Sequence, residues 1–239
     1  MRFSSLKTAA LAALFSGLSV LGASAQNSAV DNPVVVELYT SQGCSSCPPA
    51  DALLADMAGR DDVIPLALHV DYWDYIGWKD SFAIPGFTKR QKGYAQAQGE
   101  RMIYTPQMVI NGREHAVGSR PMKVADLIRK ESQRPSPVSI ILERNGSDVL
   151  ITIRSKPGQP PCDIHLVRYM PERKAKILRG ENAGHTLTYT HIVNDWQVIG
   201  KWKGEGDMEK KIRVSGNEPV VVLLQQERHG PIVAAARLR

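Results

Sequence analysis

The sequence predicts an α/β domain followed by a C-terminal β-sandwich. Three observations lead there. Up to about Ser132, β-branched runs alternate with runs of helical apolar spacing. Gln133-Arg134-Pro135-Ser136-Pro137 then reads as a linker. Beyond it, short strand-like runs are separated by Gly or Pro, with no long helical pattern.

The elements follow in order. Val34 to Tyr39 is a β-branched run with one charge, the pattern of a buried strand. Ala50 to Ala58 carries helical spacing, and Val63 to Val70 reads as a second buried strand. Ser81 to Gly99 is a partly helical insertion, and its Lys89, Arg90 and Lys92 read as a solvated face. Gln107–Ile110 and Arg113–Val117 flank Asn111-Gly112, a favoured hairpin turn. Pro121 to Lys130 is a helix with Pro at its start and basic residues at its end. The later strands are expected at 138–143, 149–154, 163–169, 186–193, 208–214, 220–226 and 232–238.

The chain of 239 residues is 43% hydrophobic and 23% charged, too apolar for a disordered tail. No apolar run reaches the length of a membrane span. The net charge of +6 comes with no long basic run, so nucleic acid is not an expected partner. Residues 1–25 read as a signal peptide. Arg2 and Lys7 precede the apolar stretch Ala9 to Leu21, and Ala23-Ser24-Ala25 suits cleavage. A periplasmic or secreted location follows, with no membrane span after cleavage and conditions in which disulfides persist.

Cys44-Ser45-Ser46-Cys47 carries the chemistry. It follows a predicted strand and precedes a predicted helix, where a CxxC can close a reversible disulfide and a thiolate is favoured by the helix start. A structural disulfide and half of a zinc site are the competing readings, but there is no second CxxC. Pro48 and Pro49 directly after Cys47 weaken the dipole argument, because they remove backbone donors. Cys162 is an odd cysteine, expected as a buried small residue at a strand start.

Thr105-Pro106 precedes the hairpin. With the CxxC, it makes the run from Val34 through Lys130 resemble the thioredoxin-like fold. The chain is also similar to a bacterial family of exported proteins filed as domain of unknown function 1223. The matching stretches are Glu37 to Asp51, His69 to Asp74, Tyr104 to Gln107, and Gly180 to Gly184. The resemblance implies a thioredoxin-like domain at 30–134, with an insertion near 71–100, while the pattern of short strands places the β-sandwich domain at 136–239. The resemblance also implies a cis Thr105–Pro106 bond against the active disulfide, leaving the Thr105 backbone free to pair with an extended substrate.

The same resemblance points to Glu37 as a buried acid that relays a proton, its pKa raised by desolvation. A strand-end glutamate paired with a lysine or hydrated at an edge is the alternative. The expected function is thiol–disulfide exchange on exported protein substrates with a redox partner, and no cofactor is expected. Cys44, at the loop end and facing solvent, is expected as the nucleophile, and Cys47, turned inward, as the resolving thiol. Two alternatives stay open. One is a copper-handling protein binding metal through Cys44, Cys47 and His69. The other is a redox-inert binding module on the same scaffold.

Overall fold

A computed structural model describes residues 32–239, so the expected signal peptide lies outside the described residues. The architecture is mixed α/β, with one large mixed sheet and a second, antiparallel sheet. Strands β1 (Val34–Thr40) and β2 (Val63–His69) are buried along all seven residues each and pair in parallel, from Val34↔Val63 to Thr40↔His69. Burial on both faces explains their nearly uninterrupted apolar composition.

Helix α1 (Pro48–Asp56) starts two residues before the sequence pattern suggested. Pro48 and Pro49 occupy its first turn, where a missing N–H costs least. A 3₁₀ turn (Asp74–Ile76) and helix α2 (Pro85–Ala97) form the insertion. Strands β3 (Gln107–Ile110) and β4 (Glu114–Val117) form the expected hairpin. Asn111 and Gly112 both have positive φ (47° and 63°), which the turn geometry requires. The Asn111 side chain also accepts a 2.8 Å bond from the Val35 amide, fastening the turn to β1. Helix α3 (Pro121–Ser132) buries Val124, Leu127 and Ile128.

The remaining strands are β5 (Val138–Asn145), β6 (Asp148–Ser155), β7 (Cys162–Lys176), β8 (Thr186–Trp202), β9 (Met208–Arg213), β10 (Val220–Gln226) and β11 (Ile232–Leu238). β7 and β8 extend well past their apolar stretches. Their outer ends carry exposed residues such as Arg173 and Lys174, which leave no apolar alternation to read.

The strands of the two halves share a sheet. Its order is β11-β10-β7-β8-β2-β1-β3-β4, continuous across the Gln133–Pro137 connection, while β5, β6 and β9 form the second sheet. The junction between β2 and β8 is parallel, through the single pair Ala67↔Ile192. One apolar cluster lies between this sheet and α2, and joins Val35, Tyr39 and Leu66 to Val167, Tyr169 and Leu223. A second lies under α1 and α3. The third joins β5 and β6 to β7 and β10 through Ile140, Ile151, Ile164 and Val222.

Candidate functional site

The loop from β1 into α1 carries Cys44 and Cys47, which form a disulfide (S–S 2.05 Å, Cα–Cα 5.4 Å). Both cysteines are fully buried, whereas Ser45 and Ser46 between them are exposed. The expectation that Cys44 faces solvent is therefore corrected. The cover comes from the β7–β8 loop. Asn182 Nδ2 donates to the Gln42 and Cys44 carbonyls (2.9 and 3.0 Å), and the Ser45 amide donates to Glu181 Oε2 (3.3 Å).

Helix α1 does not supply the amide donors expected for a thiolate. Cys47 is its N-cap, and Pro48 and Pro49 have no N–H. The next two amides, of Ala50 and Asp51, are both spent on the Cys47 carbonyl (2.8 and 3.1 Å). The polar neighbour of Cys44 Sγ is the Ser46 hydroxyl at 3.5 Å.

The insertion packs around this loop. Trp78 Nε1 donates to Gln42 Oε1 (2.8 Å), and the Gln42 amide donates to Asp80 Oδ2 (2.8 Å). Gly43 is required for its size: a Cβ there would meet Trp73 Cβ and Ile76 Cδ1 at 3.1 Å. Trp73 Nε1 in turn donates to Thr105 Oγ1 (2.8 Å). The Thr105–Pro106 bond is cis. Pro106 packs beside α1, with Gly118 between it and Ala50.

Glu37 is buried, but its electrostatics are the reverse of the expectation. Burial is the largest single effect and raises a carboxyl pKa, yet the Arg90 guanidinium together with the Tyr94 and Tyr39 hydroxyls outweighs it and holds Glu37 below its ordinary value. Arg90 binds both Glu37 oxygens (2.7 and 2.9 Å), and the Tyr94 and Tyr39 hydroxyls donate as well. Arg90 is therefore a buried partner rather than part of a solvated face, and it also lies over the Trp196 ring at 3.9 Å. Glu37 shares its sheet face with Val35, Tyr39 and α2, while α1 packs on the other face over Val36 and Leu38. A carboxylate locked in an ion pair across the sheet from the disulfide is a poor proton relay.

His69 is fully buried at the end of β2, its Nδ1 2.7 Å from Asp80 Oδ2. Among the described residues, no group of three or more His, Cys, Asp or Glu side chains is disposed to hold a metal ion. The alternative set Cys44, Cys47 and His69 is thus not assembled: both sulfurs are consumed in the disulfide, and the imidazole is turned to Asp80. Cys162 opens β7, buried in the third cluster, and burial pushes its thiol up to about 11.

The family model described as Protein of unknown function (DUF1223) matches residues 35–225. The chain belongs to the DUF1223 family. A crystal structure of an Agrobacterium tumefaciens protein, a structural-genomics target, is 35% identical to this DUF1223 chain, with a TM-score of 0.74. That match covers 86% of this chain and 93% of the other. HBP35 of Porphyromonas gingivalis aligns with a TM-score of 0.64 over 87% of this chain and 75% of its own. At 15% identity, that likeness concerns the fold alone. No curated protein matches the chain. Among the described residues, no helix is long and apolar enough to cross a membrane.

In this DUF1223 protein the four stretches that carried the resemblance meet around one disulfide. Sequence reasoning missed Asn182 and Asp51 as individual site residues. Asn182 sat inside a recognised stretch but had no partner in sequence. Asp51 had a readable signal, since it stands four residues after Cys47 in an apolar helix pattern. Its carboxylate oxygens are buried with no bond of good geometry, and the nearby Thr40 hydroxyl favours its charged form. Burial pushes its pKa up to about 7, against the opposing pull of His69.

Proposed function

We propose that this protein is an exported thiol–disulfide oxidoreductase, working through Cys44 and Cys47 on a thioredoxin-like scaffold extended by a β-sandwich. The thioredoxin-like reading is supported by the order β1-α1-β2 followed by β3-β4-α3. The sandwich reading is supported by the second sheet facing β7 and β10 through a shared core. The observation that carries the function is the closed Cys44–Cys47 disulfide at the start of α1, linked through Trp73 to the cis Thr105–Pro106 segment.

In this reading a substrate thiolate attacks Cys44, or Cys44 as thiolate attacks a substrate disulfide, and Cys47 resolves the mixed disulfide. The exposed Ser45-Ser46 rim offers the approach, with the Glu181–Asn182 segment displaced. The test is covalent capture. A Cys47→Ala protein should retain exported partners on Cys44 as adducts released by reductant, and Cys44→Ala should retain far fewer. Capture by neither variant would overturn the reading.

One observation favours a second reading. Both cysteines are fully buried, as a structural staple would be. The reduction potential separates the two: a structural disulfide lies below about −300 mV and resists the glutathione pool.

A further inference from the structure

Around the start of α1, buried polar side chains from four elements come together. Both Asp51 carboxylate oxygens on α1, His69 Nε2 on β2 and the Tyr189 hydroxyl on β8 are buried without a hydrogen bond of good geometry, and the Thr40 hydroxyl at the end of β1 lies close enough to Asp51 to favour its charged form. They are mutual neighbours. The His69 ring meets that of Tyr189 at 4.9 Å, and the Asp51 charge is felt by Tyr189 and responds to His69, Thr40 and Asp80. Buried polar atoms are normally paired, so a cluster with so few bonds in one place calls for an explanation.

The position of Asp51 relative to Cys47 suggests one. When the disulfide opens, one sulfur leaves with an electron pair. Cys47 is fully buried, so solvent does not meet that charge. The helix start cannot stabilise it either, because Pro48 and Pro49 lack the amides and the next two are already bonded. A proton must therefore come from inside the protein. Glu37 is committed to Arg90 on the far face of the sheet. Cys47 has helical backbone angles (φ −81°, ψ −35°), so the side chain four residues later lies on the same helix face, with Cβ atoms about 5–6 Å apart. That side chain is Asp51.

We propose that Asp51, which lies beside the Asp80–His69 pair, holds the proton that Cys47 takes when the disulfide opens; this assignment rests on the oxidoreductase reading above. The step balances. The thiolate of a dithiol reductant attacks Cys44 Sγ, and a new S–S bond forms as the Cys44–Cys47 bond breaks. Cys47 Sγ takes the electron pair and the Asp51 carboxylic proton. The second thiol of the reductant then attacks its own sulfur in the mixed disulfide and releases Cys44. Solvent supplies the proton for Cys44 and restores that of Asp51. The reductant has lost two electrons and two protons, and the pair has gained them. Oxidation of a substrate dithiol runs the same steps backwards. A carboxyl half-ionised at about 7 can both give and take a proton there. The groups facing it from each packed element are Thr40 from β1, His69 from β2, Asp80 from the insertion, Tyr189 from β8 and Cys47 on its own helix.

The test uses the whole chain, dithiothreitol as reductant, and the near-isosteric Asp51→Asn. The reduction rate, divided by the thiolate concentration of dithiothreitol, should fall in the wild type as pH rises through about 7. Asp51→Asn should lose that inflection and be at least about ten-fold slower at pH 6, yet close to wild type at pH 8.5. A merely structural role would slow reduction at every pH. Independently, the Asp51 carboxyl carbon of the intact oxidised protein should titrate near 7 by NMR, and a midpoint near 4 overturns the proposal. If Asp51→Asn keeps the wild-type profile while the disulfide still exchanges, the Asp51 assignment falls and the oxidoreductase reading stands. If the wild-type pair exchanges with no thiol at any pH, both fall.

Discussion

Asn182 holds Cys44 from 138 residues away, its Nδ2 donating to the Cys44 carbonyl oxygen at 3.0 Å. The same amide reaches the Gln42 carbonyl at 2.9 Å, so one side chain closes two backbone groups beside the disulfide. Asn182→Ala leaves the Gln42 carbonyl unpaired and the Cys44 carbonyl with only the Cys47 amide (3.2 Å), which costs on the order of 1–3 kcal/mol. Chemical denaturation should register that loss. The same variant should be reduced by dithiothreitol several-fold faster, because the cover over Cys44 is loosened. An unchanged rate would mean that Asn182 fastens the loop without screening the sulfurs.

Arg90 and Glu37 give a prediction about stability rather than chemistry. Removing Arg90 leaves a buried carboxylate without its cation, worth roughly 3–5 kcal/mol of destabilisation. Arg90→Met should show this loss in denaturant at pH 7. The sign with pH follows from the pairing. Glu37 is held below its ordinary value in the wild type, so its contribution is present above that value and lost as pH falls. Without Arg90, burial is opposed only by the Tyr94 and Tyr39 hydroxyls, so the deficit of the variant should shrink on acidification as Glu37 takes up a proton. A deficit independent of pH would place the damage in lost packing against Trp196 instead.

Asp51 works in the opposite direction. Its carboxyl is pushed up to about 7 in the folded protein from 3.8 in the ordinary state. Its contribution to stability is therefore complete below about pH 4 and is lost progressively as pH rises through about 7, by a few kcal/mol at most. Asp51→Asn should flatten the stability profile across that window and gain relative to wild type above it. Equilibrium unfolding at pH 4.5, 6 and 8 checks this. A parallel offset at all three values would show that the carboxyl does not titrate in that range.

The shared sheet makes a prediction about cooperativity. Strands on both sides of the Gln133–Pro137 connection lie in one sheet and share an apolar cluster. A protease nick in that connection should leave the two fragments associated, and the intact chain should unfold in one transition by both far-UV circular dichroism and tryptophan fluorescence. Two resolved transitions would show that the halves are held independently.

What the sequence revealed, and what it hid, divides by range. The CxxC, the Asn111-Gly112 turn and the proline that opens β3 are local signals, and each lies where local reasoning put it. Lys89, Arg90 and Lys92 look alike in a row of letters, yet Arg90 alone turns inward, because its partner Glu37 is 53 residues distant. The continuation of the sheet from β2 to β8 rests on one backbone pair between distant segments, which no periodicity announces. Asp51 was legible in principle, since a charge on an apolar helix four residues after a cysteine calls for an explanation. Its neighbours His69, Asp80 and Tyr189 come from three separate segments, and only the fold gathers them.

The distance between Cys44 and Asn182 along the chain also has a consequence in time. A polypeptide is made from its N-terminus, so both sulfurs exist before the segment that will cover them. At roughly 5–20 residues per second, the 138 residues that separate them represent on the order of ten seconds of synthesis. During that interval neither Glu181 nor Asn182 exists to cover the two thiols. The pair that the finished molecule buries completely thus has to wait for a late segment of the chain before its cover is in place.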